Sequence, residues 1–369
     1  MKESKRKNQN RKKGITGCVL LASAFLLMMF SRISSTFAHW YSTHIYRIWV
    51  NTTGRIMGWF PFSVSEVLLY LLIIWILTSA VWLLAGKIRK KKRRRRAADW
   101  GMNVFLLACV LFFLYVINCG MNYQRESFAE SAGIQTEAYT AEELKEVCQW
   151  LTKEVNALSG KVPRDEDGVM TLELEGTVSV DACAVEAMRN LGYTYPELSG
   201  YYPKPKGLIN PWILSIQNLS GIYSPVTVEA NYNSAMTDYY IPFTACHELS
   251  HLRGFMQEQE ANFIGFLACV NSEWKEFQYS GYLMGWVYCM NTLYQADYDA
   301  WEEVRAEIDP LIEKDLQANR EFWAAYDGKV AEVSNRVNDS YLKANGQNDG
   351  VKSYNRMVDL IVALHRARP

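Results

Sequence analysis

Two histidines four positions apart, with a glutamate directly after the first, occur in the segment FTACHELSH. His247, Glu248 and His251 form an H-E-x-x-H pattern, and the chain has only 5 histidines, so a chance match is rare. Residues four apart share one face of a helix, so both imidazoles can reach the same metal ion. The glutamate can then take a proton from the attacking water. The pattern predicts a Zn²⁺ cofactor, with His247 and His251 as ligands and Glu248 as the catalytic base.

A catalytic zinc needs a third protein ligand, and two acidic residues follow the pattern closely. Gly254 can end the helix, and a second helix from about Gln257 would turn Glu258 or Glu260 back to the metal. These two glutamates are two residues apart and face different ways, so only one can be a ligand. Asn262 follows Glu258 by four residues and can orient a zinc-bound histidine. This favours Glu258, with Glu260 as the alternative.

Other candidate ligands are less well placed along the chain. Gln257 occupies the position where a histidine would complete H-x-x-G-x-x-H, so the metzincin pattern is broken. His39, His44 and His365 lie far from the motif in sequence. A tyrosine could stabilise the oxyanion, but with 22 tyrosines in the chain the sequence cannot select one.

The elements that position this motif are mostly helical. The segment 224–232, SPVTVEANY, alternates and contains β-branched residues, so it predicts a strand before the motif helix. Thr140 and Glu143 have capping-box spacing at the start of a predicted helix that ends near residue 158. Another helix is predicted over 180–191. From Phe243 to the C-terminus helices dominate, with predicted breaks near Gly254, Gly281, Pro310 and 346–350. We therefore expect an α+β domain with few strands over 122–369.

Three apolar segments precede this domain and contain no Lys, Arg, Asp or Glu. About 17–25 apolar residues are needed to cross the hydrocarbon core of a bilayer. The sequence therefore predicts a membrane region over 1–121 with transmembrane helices at about 14–30, 67–85 and 102–120. The first segment is short enough to be a signal peptide, but no convincing cleavage site follows it, which favours an uncleaved anchor.

The charge balance is even but unevenly distributed. The chain has 39 Lys and Arg and 39 Asp and Glu, and two dense basic runs at 1–13 and 87–96 flank the apolar segments. Basic residues near span ends stay on the cytoplasmic side. This predicts a multi-pass bacterial plasma-membrane protein with a cytoplasmic N-terminus and an extracytoplasmic C-terminal domain. Outside the two basic runs the chain is acidic, and this composition argues against nucleic-acid binding.

Two further features concern the surroundings of the domain. The loop 31–63 is rich in aromatic residues, which suits either the outer leaflet or packing against the domain. The 8 cysteines include no C-x-x-C pair, so a thiolate zinc site is not expected. We interpret the cysteines as small buried hydrophobic residues, with one unassigned disulfide possible.

Several segments resemble one bacterial membrane family. HELSHLRGFMQEQEANFIGFLAC, SGIYSPVTVEANYN and YLKANGQNDGVKSYNRMVDLIVAL are similar to domain of unknown function 3810 (DUF3810), as is the order of spans followed by this domain. The resemblance covers nearly the whole chain and implies a zinc-peptidase-like protein. Glu258 to Asn262 also resembles the E-x-x-A-D/N element of gluzincin peptidases, which implies Glu258 as the third ligand and a zincin-like fold. Asn262 stands where that element usually has Asp.

The expected function is hydrolysis of peptide bonds in a peptide or protein substrate outside the cytoplasm. Two alternatives stay open. One is a zinc amidase that acts on cell-wall material, because the motif does not separate the two amide substrates. The other is a non-catalytic membrane-anchored scaffold with a vestigial metal site, although a purely structural zinc has no use for Glu248. Intramembrane proteolysis is disfavoured, because the motif lies more than 120 residues after the last apolar segment.

Overall fold

The computed structural model describes residues 2–84, 90–174 and 179–368, and most of them are helical. The predicted basic run 87–96 begins outside the described residues. The N-terminal helices are α1 (Lys2–Ile33), α2 (Ser35–Trp40), α3 (Tyr46–Trp49), α4 (Arg55–Met57), α5 (Val64–Leu84) and α6 (Lys90–Tyr115). π-Helical turns cover Tyr41–Ile45, Val50–Gly54 and Val116–Gly120, and a 3-10 turn covers Asn122–Gln124.

Within the described part of the chain, three helical segments are long and apolar enough to cross a membrane: Ser4–Ile33, Val64–Leu83 and Arg96–Gln124. The predicted spans 14–30, 67–85 and 102–120 fall on these helices, except that residue 85 is not described. This finding is consistent with a membrane protein.

Helices α1 and α6 run parallel to each other. Near one end, the Asn10 side chain donates a hydrogen bond to Asp99 at 2.5 Å. Near the other, the Met28 side chain lies against Gly120, 3.3 Å from where a Cβ would be. The two helices therefore start at the same end of the bundle and finish together.

Helix α5 runs in the opposite direction. Its Trp75 stacks on Trp100 near the start of α6, with ring centroids 6.4 Å apart, and its later residue Trp82 contacts Arg96 at 4.4 Å. The start of α5 therefore lies at the same end of the bundle as the last turns of α1 and α6. The rest of the chain folds onto that end, which we call the domain end, while the described starts of α1 and α6 lie at the opposite end.

The domain that follows is built from helices around a small sheet. Its helices are α7 (Phe128–Ser131), α8 (Ala141–Ser159), α9 (Val180–Thr194), α10 (Trp212–Ser215), α11 (Tyr240–Leu252), α12 (Glu258–Val270), α13 (Lys275–Ala296), α14 (Tyr298–Arg305), α15 (Pro310–Ala324), α16 (Lys329–Ala344) and α17 (Met357–Arg366), with 3-10 turns at Pro196–Leu198 and Gly350–Arg356. The expected capping box is present, because Thr140 accepts from the Glu143 amide and Glu143 reaches back to the Thr140 amide. The prediction of a mostly helical domain with few strands is confirmed.

The sheet described in this chain has the order β1-β3-β2, with β1 (Lys206–Gly207) parallel and β2 (Gly221–Ser224) antiparallel to β3 (Glu229–Tyr232). A strand before the motif helix is confirmed at β3, but its predicted extent over 224–232 is wrong, because the segment begins with the last residue of β2 and reaches β3 only after a turn. A tight turn joins the two strands, and Val228 has a positive φ of 56° there. Alternation of residue types did not reveal this turn.

The predicted helix break near Gly281 is also wrong. Helix α13 continues through this residue without interruption. The glycine allows close packing instead, because an added Cβ would lie 2.6 Å from the Cβ of Cys269 on α12. A glycine inside a helix can thus mark a close helix–helix approach rather than an end.

One hydrophobic core joins the domain to residues before the predicted boundary at 121/122. Tyr46 is fully buried, and its hydroxyl lies 2.8 Å from that of Tyr223 and donates to the Leu252 carbonyl at 3.0 Å. Trp40 and Trp59, from the same aromatic loop, are exposed. The loop 31–63 therefore packs against the domain with some rings and presents others to the surroundings.

All eight cysteines lie in the described residues and carry free thiols, and all but Cys18 are buried. This agrees with their interpretation as small hydrophobic residues.

Candidate metal centre

Helix α11 carries the H-E-x-x-H pattern through the middle of the domain. From Ile241 onward every residue of this helix is buried, so it is enclosed by neighbours rather than amphipathic. His247 and His251 lie one turn apart, with ring centroids at 4.6 Å and planes at 88° to each other. The helix therefore presents both imidazoles to the same point.

The chain reverses at Gly254, which has φ +94°. The Gly254 amide donates to the His251 carbonyl at 2.9 Å, and the Phe255 amide donates to the Ser250 carbonyl at 3.1 Å. This is the hydrogen-bond pattern of a Schellman motif, which favours glycine at the left-handed position. The predicted break is confirmed, and the turn brings the start of α12 back to the two histidines.

Glu258 is the first residue of α12 and lies between the imidazoles. Its Oε2 is 3.3 Å from Nε2 of His247 and 3.6 Å from Nε2 of His251. Among the described residues, these three form the one group of potential metal-binding side chains, with ligand atoms within 4.8 Å of one another. Tetrahedral ligands about 2.0–2.1 Å from zinc lie about 3.4 Å apart. The donor set and its spacing therefore fit a zinc ion.

The ring of His251 is held by the turn itself. Its Nδ1 is hydrogen-bonded to the Phe255 carbonyl at 2.8 Å, which leaves Nε2 directed at Glu258. A histidine that donates one ring nitrogen in this way has the other free for a metal. Burial lowers the pKa of His251, but the carboxylate of Glu258 outweighs burial and raises the pKa to about 9. The site without a metal thus holds a proton between His251 and Glu258.

His247 has fewer partners. Its Nδ1 is buried and has no hydrogen-bond partner, and burial lowers its pKa below the usual value. Asn262, predicted to orient a histidine, lies next to it, but its amide nitrogen donates to the Tyr288 hydroxyl at 3.2 Å. A role for Asn262 in holding His247 stays a prediction.

Glu248 is buried beside this cluster, and its Oε2 has no hydrogen-bond partner. Burial raises the pKa of its carboxyl to about 8. Strand β2 passes directly over it, because a Cβ added to Gly221 would collide with the Glu248 carboxylate. An unpaired carboxyl whose pKa lies near neutral is suited to exchange protons with a bound reactant.

The alternative ligand Glu260 is placed elsewhere. Its carboxylate accepts a hydrogen bond from the Phe128 amide at 2.5 Å, at the start of α7. Burial raises the pKa of Glu260 to about 7, against the opposing effects of that hydrogen bond and of the Arg125 charge. The structure therefore brings Glu258, and not Glu260, to the two histidines.

The remaining histidines are outside the cluster. His39 pairs with Glu126 at 3.3 Å, His44 lies 3.0 Å from the Trp40 carbonyl, and His365 stacks near Trp150.

Two residues near the cluster were not singled out from the sequence. Gly221 allows β2 to approach Glu248, and Tyr354, in the 3-10 turn before α17, lies near enough to Glu258 and Glu248 to feel their charges. Burial chiefly, together with these charges, raises the pKa of the Tyr354 hydroxyl. Only the fold reveals its position, since more than 90 residues separate it from the motif.

The family model described as "Protein of unknown function (DUF3810)" matches residues 41–362. The chain belongs to this family. No curated protein and no solved structure matches the chain.

Proposed function

We propose that this protein is a membrane-anchored zinc peptidase with a zincin-like site, in which His247, His251 and Glu258 hold the metal. The observation that carries the proposal is the spacing of the three ligand atoms around one point, with the Glu258 oxygen 3.3 and 3.6 Å from the imidazoles. A small sheet passing over the H-E-x-x-H helix and a second helix that supplies the glutamate support a relation to zincins.

When bound, zinc lowers the pKa of a coordinated water to about 7 and polarises a carbonyl. The residues of this chain supply the rest. Glu248 accepts a proton from the attacking water and returns it to the leaving amine. Tyr354 is the candidate to donate a hydrogen bond to the developing oxyanion, because it is the tyrosine whose hydroxyl feels the charges of both Glu258 and Glu248.

We place this chemistry on the extracytoplasmic side of a bacterial plasma membrane. The starts of α1 and α6, which carry basic residues in the sequence, lie opposite the domain, and basic residues near span ends stay in the cytoplasm. The scaffold alternative is not favoured, because the buried Glu248 carboxyl has an oxygen without a partner. A structural site would have no reason to keep that group unpaired.

The test uses the full-length protein in detergent or lipid nanodiscs. It is incubated with a quenched-fluorescence peptide library and, in parallel, with a cell-wall amide substrate. Zinc-dependent peptide cleavage that a chelator abolishes, and that Glu248→Gln lacks, is expected. Cleavage of only the cell-wall amide would replace the peptidase with the amidase. Zinc-loaded protein that cleaves neither would contradict the proposal.

A further inference from the structure

Strand β2 leads from the candidate metal centre towards the membrane helices. At its first residue, Gly221, it lies against the Glu248 carboxylate. Its last residue is Ser224. With a rise of about 3.3 Å per residue, the strand covers about 10 Å between these two points.

The far end of β2 is tied to the start of a candidate membrane span. Ser224 pairs with Glu229 of β3. The Glu229 carboxylate accepts hydrogen bonds from the Val64 amide at 3.0 Å and the Ser65 amide at 2.8 Å. Val64 is the first residue of the helix Val64–Leu83, which is long and apolar enough to cross a membrane. The end of β2 therefore lies at the level where this span begins.

A second contact links the same end of β2 to another candidate span. Asn118 lies in the segment Arg96–Gln124. Its amide nitrogen donates to the Pro225 carbonyl at 2.8 Å, and its carbonyl accepts from the Tyr223 hydroxyl at 3.2 Å. Two candidate membrane helices therefore hold β2 independently, which sets its position relative to both spans.

The metal-binding turn is also close to this span. Cys119 Sγ lies 3.7 Å from Met256 Sδ, and Met256 is two residues before Glu258. Two residues cover at most about 7 Å. The motif is more than 120 residues from the span in sequence, but it is adjacent to the end of the span in space.

Exposed apolar side chains surround the start of α5. Trp59 is 81% exposed, and Ile209 and Trp212 are also exposed. The Glu66 carboxylate in the first turn of α5 accepts a hydrogen bond from the Ile209 amide at 2.8 Å, so this segment lies at the span's end. Such aromatic and aliphatic groups favour the membrane interface. The domain therefore rests directly on the bilayer, without a stalk.

One edge of β2 is available for pairing. Among the described residues β2 pairs with β3 alone, and Ile222 is 47% exposed. Extended peptides bind to such free strand edges through main-chain hydrogen bonds. A peptide on this edge would lie beside Glu248 and close to the start of α5 and the end of the span Arg96–Gln124.

We propose that the substrates are polypeptides anchored in the same membrane, cut in an extended stretch within about ten residues of the bilayer. This inference rests on the proposed peptidase function and adds its substrate class. Because β2 ends at the membrane level, a strand paired with it carries its own anchor into the bilayer beside α5 and α6. A soluble peptide lacks that second attachment.

The experiment compares three substrates with the full-length protein in nanodiscs, which leave both membrane faces accessible. All three contain one cleavable sequence taken from the library screen. The first is soluble, and the second joins the sequence directly to a transmembrane helix. The third places a semi-rigid helical spacer of about 20 residues, about 30 Å long, between the sequence and the same transmembrane helix. The second and third have equal membrane concentration, so they differ only in height above the bilayer. Cleavage sites are located by mass spectrometry, and zinc content is measured on the same protein.

We expect the directly anchored substrate to be cut at least about tenfold faster than the spaced one, within about ten residues of its transmembrane helix. Equal rates for the two anchored substrates, with soluble peptide also cut by zinc-loaded protein, would overturn the membrane inference and leave the peptidase proposal intact. Cleavage of none of the three by zinc-loaded protein would overturn both.

Discussion

Two of the regions of this protein that hold buried carboxylates differ in their surroundings. At the contact between β3 and the start of α5, which we call the junction, Glu229 accepts hydrogen bonds from two backbone amides and pairs with the Lys206 ammonium at 2.5 Å. At the candidate metal centre, Glu258 lies against the two imidazoles, and an oxygen of Glu248 has no hydrogen-bond partner. The carboxylates of both regions are buried.

This difference separates a structural role from a chemical one. A buried charge is costly unless hydrogen bonds and an opposite charge compensate it. At the junction the compensation comes entirely from the protein, so nothing further is needed there. At the candidate metal centre, imidazole nitrogens and carboxylate oxygens are not fully compensated by other groups of the protein. A divalent cation and a water molecule would supply the missing partners.

The largest effect is expected for Glu248→Gln. The amide keeps the shape of the side chain but cannot accept the proton, so the rate of peptide cleavage should fall by about 10²- to 10⁴-fold. Zinc content should stay unchanged, because Glu248 is not one of the ligands. A variant that keeps full activity would exclude Glu248 as the base.

For Glu229→Gln at the junction we expect the opposite pattern, in which stability is lost rather than a catalytic group. This change leaves the buried Lys206 charge unpaired, so the free energy of unfolding should decrease by about 3–5 kcal/mol. For a chain of this size the melting temperature should fall by about 5 °C. Zinc content per folded molecule should not change.

A matched double variant, Glu229→Gln with Lys206→Met, separates the two contributions to that loss. It should melt at a higher temperature than the single variant, because no unpaired charge remains. If both variants melt like the native protein, the junction contributes no stability and the comparison fails.

A smaller effect on catalysis is expected for Gly221→Val. The added side chain would displace the Glu248 carboxylate from its place under β2, so activity should fall by about 10²-fold with zinc retained. Ile222→Val is the control on the same strand, since its side chain is already partly exposed. Equal activity of Gly221→Val and the native protein would show that β2 does not confine Glu248.

The smallest effect concerns pH. The Glu258 carboxylate raises the pKa of His251 to about 9, so the imidazole must lose a proton before it can bind zinc. Zinc affinity should therefore weaken about tenfold for each unit by which the pH is lowered from 8 to 6. Competition with a chromophoric chelator, corrected for the chelator's own protonation, measures this slope. An affinity that does not change with pH would contradict the proton-holding pair of His251 and Glu258.

Local patterns in the sequence sufficed for part of this description. The apolar segments, the capping box at Thr140 and the turn at Gly254 depend on neighbouring residues, and each was predicted correctly. The preference for Glu258 over Glu260 came from the Asn262 position and a family resemblance. The fold then supplied a separate distinction, since Glu260 is bound to the start of α7.

Long-range contacts could not be predicted in this way. The hairpin of β2 and β3 depends on a turn at Val228 whose residues carry no glycine signal. Glu229 shows no sign in the sequence of its hydrogen bonds to Val64 and Ser65, 165 and 164 residues away. The closeness of the candidate metal centre to the ends of the candidate spans follows from long-range contacts of this kind, which include those of Asn118 and Cys119.

The most direct test of the central claim is the zinc content of the purified full-length protein, measured by elemental mass spectrometry. The whole chain is needed because Tyr46 and the start of α5 are built into the domain core. The native protein and Glu260→Ala should each hold about one zinc per chain, whereas His247→Ala and Glu258→Ala should hold almost none. Folded native protein that takes up no zinc when the metal is supplied would contradict the account.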